Sequence, residues 1–451
     1  MGISVSDLPS ELVDRIVSEL KDDAEALRTC ALISTAFVHW SRIHLFSSVR
    51  ITATDVYAFR SLIRSSPAVA SYVRSLDVPM MGSLPMSAIL PPLTFGLLSS
   101  LTHFSSHSDP FDFRQLSLPD LRIVTDSARR LTHVDISIDR LWTLHDWASL
   151  LNGCPALVTL VIDANATGFG TWTAADVALP MPAPPLPSML RLHTLRVSGD
   201  CKVLVPLSAW LVPQGALSTL TELGFDVIYM PNDYEAPDVR LPMVLAAAAS
   251  LRQLTLNLDP PLTLSADSTF PPLHITHFPH LHALHLHDGL DAELLASLNW
   301  IISFLGRPST SSSISTPNGN DTRNTTNDLA SALESLSLDH SILRADMHDI
   351  PASTWTAFED ALLGTSSSSP SSTSSPFSPV SSHNHPHPNL RRVSFSGYQK
   401  YSVGAPQPEA ARAVRGLLRE RLGRVAGRGV LVLGGGGQGE EEEEEETQER
   451  R

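Results

Sequence analysis

The segment LRQLTLN occupies residues 251–257, and LHALHLH follows thirty positions later at residues 281–287. Both contain the pattern L-x-x-L-x-L. Further clear copies begin at Leu131, Leu157, Leu192, Leu220, Leu333 and Leu390, and a weaker copy begins at Val73. The copies from 131 to 281 lie 26 to 35 residues apart. A period of this length indicates that each copy belongs to one supersecondary unit of a repeat.

The pattern within each copy fits a strand with two different faces. Side chains alternate between the faces of a strand. In the eight clear copies the fourth and sixth positions are always Leu, Val, Ile or Phe, whereas in the third, fifth and seventh only Val161 and Ala283 are apolar. Apolar stretches such as 242–250 and 292–305 lie between copies and predict returning helical segments. We therefore predict an α/β fold with an irregular repeat solenoid and a curved parallel sheet. A β-helix or a doubly wound α/β fold is the alternative.

The repeat resembles the leucine-rich repeat family over roughly residues 70–433. Repeat lengths are irregular and the usual asparagine after the strand is mostly missing, so the resemblance is to divergent members with long units. It implies that the polar strand face binds a target protein. The residues predicted to bind the target are Asp135, Asp163, Arg196, Asp226, Asn257, His285 and His287.

Composition divides the chain further. Residues 306–328 and 364–389 are rich in Ser, Thr, Asn and Pro, and such segments bury too little apolar surface to offset chain entropy. We predict disordered insertions there, a disordered Gly/Glu tail at 434–451, and repeats at 51–305, 329–363 and 390–433, the last with a basic segment. In that segment six arginines lie between Arg412 and Arg428. Neutralisation by the tail is one interpretation of them; a localisation signal or an acidic partner is the other.

The first fifty residues form a separate helical module in this prediction. Leu8, Leu12, Ile16 and Leu20 recur every fourth residue, joined by Val13, and indicate an amphipathic helix. Pro9 fits its first turn. A second apolar stripe contains Leu27, Cys30 or Ala31, Ile33 and Phe37. Two or three short helices cannot enclose a good core by themselves. One interpretation is therefore that the module caps the end of the repeats.

The other interpretation of the module comes from its motif. Leu8-Pro9-x-Glu11-Leu12, followed by Ile16, Leu20, Leu27, Ile33-Ser34 and Phe37, resembles the F-box, and residues 43–51 are similar to the exit of many fungal F-box proteins. At the position of Phe37 the F-box family usually has Trp. In this interpretation Trp40 takes the place of that Trp. The resemblance implies that the module binds a Skp-family adaptor, which links it to a cullin ubiquitin ligase. The implied adaptor-binding residues are Leu8, Pro9, Leu12, Ile16, Leu20, Leu27, Ile33 and Phe37.

Composition and motifs exclude several classes of protein. The net charge of −15 argues against binding nucleic acid or an anionic membrane. Three distant cysteines fit a reducing compartment, and the longest apolar run, at 294–305, is too short to span a bilayer. We expect an intracellular protein, in the cytoplasm, the nucleus or both.

We also expect a non-catalytic protein without a metal or cofactor. The motif G-x-G-x-x-G at Gly434–Gly439 is followed by seven Glu, which would repel a pyrophosphate. His285 and His287 share a strand face, but no Cys and no obvious acidic ligand is adjacent. The function predicted from the sequence is the substrate-recognition subunit of a cullin-based SCF-type ubiquitin ligase. The alternative is a leucine-rich-repeat scaffold without a role in ubiquitin ligation.

Overall fold

The computed structural model describes the chain in fourteen segments, which divide between two compact units, Met1–Ala216 and Leu217–Arg451. The described residues are 8–52, 54–78, 91–106, 123–124, 126–138, 144–164, 190–228, 240–257, 273–287, 294–305, 332–339, 350–363, 389–396 and 408–433. The predicted insertion 306–328 and the tail 434–451 lie outside them, as does the insertion 364–389 apart from Asn389.

The first unit begins with short helices and continues with strands that alternate with helices. Its helices are α1 (Ser10–Ser18), α2 (Ala24–Ile33), α3 (Thr35–Ser47), α4 (Val56–Ser65), α5 (Pro67–Ala70), α6 (Pro92–Leu97), α7 (Leu144–Gly153) and α8 (Leu204–Leu211). Its strands are β1 (Ser48–Arg50), β2 (Ser75–Val78), β3 (His103–Ser106), β4 (His133–Ile138), β5 (Thr159–Ala164) and β6 (Thr194–Asp200). β1 thus begins the sheet inside the range predicted for the helical module.

The second unit repeats the alternation of strand and helix. Its strands are β7 (Glu222–Ile228), β8 (Gln253–Asn257), β9 (Ala283–His287), β10 (Ser335–Asp339), β11 (Arg392–Ser396) and β12 (Leu431–Leu433). Its helices are α9 (Arg240–Ala247), α10 (Leu294–Leu305), α11 (Ala352–Leu363), α12 (Pro408–Arg421) and α13 (Gly423–Gly427). The α/β class predicted from the sequence is confirmed in both units.

All strand pairs within each unit are parallel and join strands that are consecutive in the chain. Among the described strands of each unit the order never reverses, whereas a doubly wound sheet reverses at a switch point. The order therefore favours the repeat arrangement over that alternative.

The strand registers align the repeat copies position by position. In the first unit Val134 pairs with Leu160 and Leu160 with Leu195; in the second, Leu254 pairs with Leu284 and Leu284 with Leu336. These are fourth positions of the motif, and they are buried, as are the sixth positions. The alternation of buried and more exposed side chains predicted from the motif is thus confirmed from the third to the sixth position of these strands, whereas the seventh-position residues Ser137 and Asn257 are buried.

Strand β3 was not predicted. Leu101 and Phe104 match the first and fourth positions of the motif. The sixth position is Ser106, whereas the motif requires an apolar residue there. Ser106 is nevertheless buried, and it pairs with Ile136 in β4. The signal that would have found β3 is the Leu-x-x-Phe spacing, about thirty residues before the copy at Leu131.

The cysteines differ in accessibility, which gives a test of the fold. Cys154 is fully buried, and burial raises the pKa of its thiol to about 12. Cys201 is also buried, whereas Cys30 is half-buried. Because the thiolate is the reactive form, we expect a thiol reagent to label Cys30 first and Cys154 only after unfolding, as read by mass spectrometry. Labelling of Cys154 at the rate of Cys30 in the folded chain would contradict this packing.

Candidate functional site

The N-terminal module, residues 8–47, is three short helices around a small apolar core. Val13 and Val17 from α1 meet Leu27 from α2 and Phe37 from α3 in that core. Half-buried apolar side chains pack around it, namely Leu8, Leu20, Cys30, Trp40 and Leu45. The module therefore uses one side of each helix for its own folding.

Caps set where the helices of the module begin. The Asp23 carboxylate accepts hydrogen bonds from the amides of Glu25 (3.0 Å) and Ala26 (2.9 Å), so α2 starts there. Ser34 Oγ accepts a hydrogen bond from the Ala36 amide at 3.3 Å and caps the start of α3. Ser34 therefore separates Ile33, the last residue of α2, from α3. Pro9 occupies the N-cap of α1, one position before the first turn in which the sequence placed it.

Beside this core the module exposes large apolar side chains. The exposed fraction is 48% for Leu12 and 45% for Ile16 on α1, and 87% for Leu32 and 67% for Ile33 at the end of α2. Large apolar side chains that a fold leaves exposed are candidate contacts for a protein partner. We call these four residues the apolar surface.

The residues predicted to bind an adaptor fall into three groups in the structure. Leu12, Ile16, Ile33 and Pro9 are exposed, and Leu8 and Leu20 are half-buried against the core. Leu27 and Phe37 are buried inside the module, so they support the apolar surface from beneath and present almost no area to a partner. Leu32 is the most exposed residue of the apolar surface. The sequence did not identify it as an adaptor-binding residue, because it lies off the stripe through Leu27 and Ile33.

The module is joined to the sheet of the first unit. The rings of His39 on α3 and Tyr72 are 5.7 Å apart, edge to face, and their Nδ1 and hydroxyl atoms are hydrogen-bonded at 3.1 Å. The Arg74 amide donates to the Ser47 carbonyl at 2.9 Å, just before β1 pairs with β2. The apolar surface is thus carried on a support that continues directly into the repeats.

The polar face of the sheet in the first unit contains three of the predicted target-binding residues. Asp163 is half-buried and accepts from Ser198 Oγ (3.2 Å) and Ser137 Oγ (3.5 Å) on the neighbouring strands. Asp135 is half-buried and Arg196 is exposed on the same face. Because hydroxyls on both sides hold Asp163, its carboxylate is fixed in position, as a docking surface requires.

A stacked histidine pair lies at one end of this face. The rings of His103 and His133 are 4.1 Å apart at 15°, and Thr102 and Thr132 hold their Nδ1 atoms at 2.9 Å. Burial, and secondarily the neighbouring His103, lower the pKa of His133. The neutral imidazole is therefore favoured in the folded chain, and the stability it contributes is lost as the pH falls below the ordinary histidine range.

We expect the ring of His133 to titrate at a lower pH than an ordinary histidine. His103→Gln should raise the pKa of His133 only in part, because burial remains the larger cause. Ring chemical shifts in an NMR titration measure both effects, with His282→Gln in the second unit as the control. If His103→Gln leaves the titration of His133 unchanged, the proposed influence of His103 on the pKa of His133 is contradicted.

In the second unit, Asp226 and Asn257 are coupled and Arg240 lies behind them. Asn257 Nδ2 donates to Asp226 Oδ1 at 3.4 Å, and the Asn257 carbonyl accepts from Arg240 Nη1 at 2.6 Å. Asp226 is exposed, whereas Asn257 and Arg240 are buried. Asn257 therefore positions Asp226 and is not itself a surface residue, which corrects the expectation of direct contact. His285 and His287 are half-buried on the same face.

Two features of the described residues bear on other classes of site. Within them, no three His, Cys, Asp or Glu side chains come together in a way that would hold a metal ion. No helix in the same part of the chain has the length and apolar character needed to cross a membrane.

Comparison with known proteins gives a partial similarity. No family model matches the chain. Over 75 residues, 16% of the chain, the sequence is 36% identical to the F-box protein COS111 of Candida glabrata. Over that stretch the chain is similar to an F-box protein. The match spans only 8% of the length of COS111, and 75 residues are too few to include the repeats of residues 70–433.

Proposed function

We propose that this chain is a non-catalytic substrate receptor of an SCF-type cullin ubiquitin ligase. Its N-terminal module binds a Skp-family adaptor, the adaptor connects it to a cullin, and the repeats bind a target protein. The apolar surface carries the proposal, because Leu12, Ile16, Leu32 and Ile33 are exposed while other residues supply the core. The partial similarity to an F-box protein supports the same interpretation.

The small core of the module leaves apolar side chains for a partner to cover. Each of its helices has at most thirteen residues, and they rely on a core of four buried side chains. Covering the four exposed apolar side chains removes them from water, which favours association by roughly 1 kcal/mol or more for each well-buried side chain. Leu27 and Phe37 contribute indirectly, because they hold α2 and α3 in the arrangement that exposes Leu32 and Ile33.

The polar strand faces are the proposed target-binding surface. Their repeating unit resembles divergent leucine-rich repeats, in which a row of strands presents side chains at a regular spacing. Charged and hydrogen-bonding groups are offered by Asp135, Asp163 and Arg196 in the first unit and by Asp226, His285 and His287 in the second. Arg196 and Asp226 are exposed and the other four are half-buried. Polar side chains of this kind suit recognition of a protein surface with a few anchoring contacts. Ubiquitin transfer itself belongs to other subunits.

Co-expression of the full chain with a Skp-family adaptor and a cullin tests the proposal. We expect the three proteins to co-purify through a tag on this chain. Capture of the adaptor without the cullin would favour the scaffold alternative instead. Capture of neither, from a chain that unfolds cooperatively, would contradict the proposal and leave residues 8–47 as an end cap of the repeats.

A further inference from the structure

Charge is unevenly distributed at the C-terminal end of the sequence. Residues 391–433 contain nine Lys or Arg and two Asp or Glu, a net charge of +7. Residues 434–451 contain two Arg and eight Glu, a net charge of −6. Residues 1–390 carry the remaining −16. A glutamate run in the tail is therefore repelled by most of the chain and attracted by the segment that directly precedes it.

Part of this positive charge is exposed on the last repeat of the second unit. Arg391 and Arg392 at the start of β11, Arg419 on α12 and Arg428 after α13 are exposed. Their neighbours Leu418, Leu422 and Val425 are buried and fix α12 and α13 on the core. We call the four exposed residues the arginine surface.

Arg424 is not part of this surface, because acidic side chains already bind it. Its Nε donates to Glu359 Oε2 at 2.7 Å, its amide donates to Glu359 Oε1 at 2.8 Å, and its Nη1 donates to Asp360 Oδ1 at 2.8 Å. The hydrogen bond to Glu359 is the largest cause of the raised pKa of Arg424. The pair ties α13 to α11 and so holds the surrounding residues in place.

The tail is long enough to reach back to Arg392 and Arg428 of the arginine surface. The Val393 amide donates to the Val430 carbonyl at 2.8 Å, which places Arg392 and Arg428 near the beginning of β12. The strand then runs three residues, about 10 Å, to Leu433. Six residues, Gly434–Gly439, separate Leu433 from the first glutamate and span up to about 20 Å.

We propose that the glutamate run Glu440–Glu446 docks on the arginine surface of the same chain, and that it thereby keeps acidic segments of other proteins off that surface. Arginine and carboxylate groups form the strongest charge-assisted hydrogen bonds in proteins. Attachment through a short linker holds the run at a high local concentration, so an external acidic ligand must compete with it. This contact is independent of adaptor binding by the N-terminal module.

The test is competition with a labelled peptide of seven glutamates, followed by fluorescence anisotropy at low ionic strength. The full chain is compared with a variant in which Glu440–Glu446 are all changed to Gln. We expect the Gln variant to bind the peptide on the order of tenfold more tightly, because a short linker gives an effective concentration in the millimolar range. Added salt should weaken this binding.

Two further variants locate the contact. Changing Arg391, Arg392, Arg419 and Arg428 to Gln in the Gln-tail chain should abolish the gain. The control changes four exposed arginines elsewhere to Gln and should leave the gain in peptide affinity intact. These are Arg28, Arg42, Arg64 and Arg252. Equal peptide affinity with and without the glutamates, or a gain that survives loss of the arginine surface, would overturn the proposal. Tail-dependent self-association in sedimentation would assign the run to a second copy and overturn it too.

Discussion

Gly199→Ala should destabilise the first unit by roughly 2 to 5 kcal/mol. Gly199 lies in β6 with φ +89°, a conformation that costs an L-residue about 1 to 2 kcal/mol. A β-carbon at this position would also come within 1.9 Å of the Ala164 carbonyl oxygen on β5. Because that oxygen belongs to a paired backbone, it cannot move aside as a flexible side chain would, and overpacking adds about 1 to 3 kcal/mol.

Gly215→Ala is the matched control for this effect. Gly215 has φ +68°, but an added β-carbon there would meet no atom within 4 Å. It should therefore show only the backbone cost of about 1 to 2 kcal/mol. Urea unfolding of both variants of the full chain measures the difference. Equal losses at the two positions would mean that β5 and β6 do not approach each other as described.

Ile16→Asp and Leu32→Asp should each weaken adaptor binding by about 2 kcal/mol or more, a factor of about thirty, and leave the chain folded. Both side chains are exposed in the free chain, so a carboxylate is solvated there at little cost. In a complex that covers them, the same carboxylate would be buried without a partner, which is costly. Truncation or replacement of central apolar contacts commonly has effects of this size.

Two control variants separate binding from folding. Leu93→Asp changes an exposed apolar residue on α6, outside the module, and should leave adaptor affinity unchanged. Val17→Asp places a charge in the buried core of the module and should unfold residues 8–47, as seen in lost helical signal and increased proteolysis. Full adaptor affinity in the Ile16→Asp and Leu32→Asp variants would show that the apolar surface is not the binding site.

Strands were the most predictable part of this fold. Their period of two leaves no ambiguity about which side chains share a face, so Leu160 and Ile162 were assigned to the buried face from the sequence alone. The same rule missed β3, since Ser106 replaces an apolar residue. A buried Ser can still hydrogen-bond, so a polar residue at one position of the motif does not exclude a strand.

The faces of the first helix were harder to predict. Residues spaced by four advance about 40° around a helix at each step, since a helix turns 100° per residue. Leu12 and Ile16 therefore do not lie in one straight row along α1, Leu8 and Leu20 lie outside the helix, and Val13 and Val17 face the core instead. The four-residue spacing identified an apolar helix, but it did not separate the residues for folding from those left exposed.

The polar face shows what a single sequence does not contain. Asp226 and Asn257 lie at equivalent seventh positions, yet one is exposed and the other buried. Beside Asn257, the buried Arg240 reaches from α9, 17 residues earlier in the chain, to the Asn257 carbonyl. Such a long-range contact leaves no periodic trace. The exposure of Asp226 likewise depends on tertiary packing.

Calorimetric titration of a purified Skp-family adaptor into the full chain tests the central claim most directly. The proposed function predicts saturation at one adaptor per chain, with a negative heat-capacity change because apolar side chains are buried. It also predicts loss of that signal in the Leu32→Asp variant. Absence of saturable binding by a chain that keeps its cooperative unfolding would contradict the claim that residues 8–47 bind an adaptor.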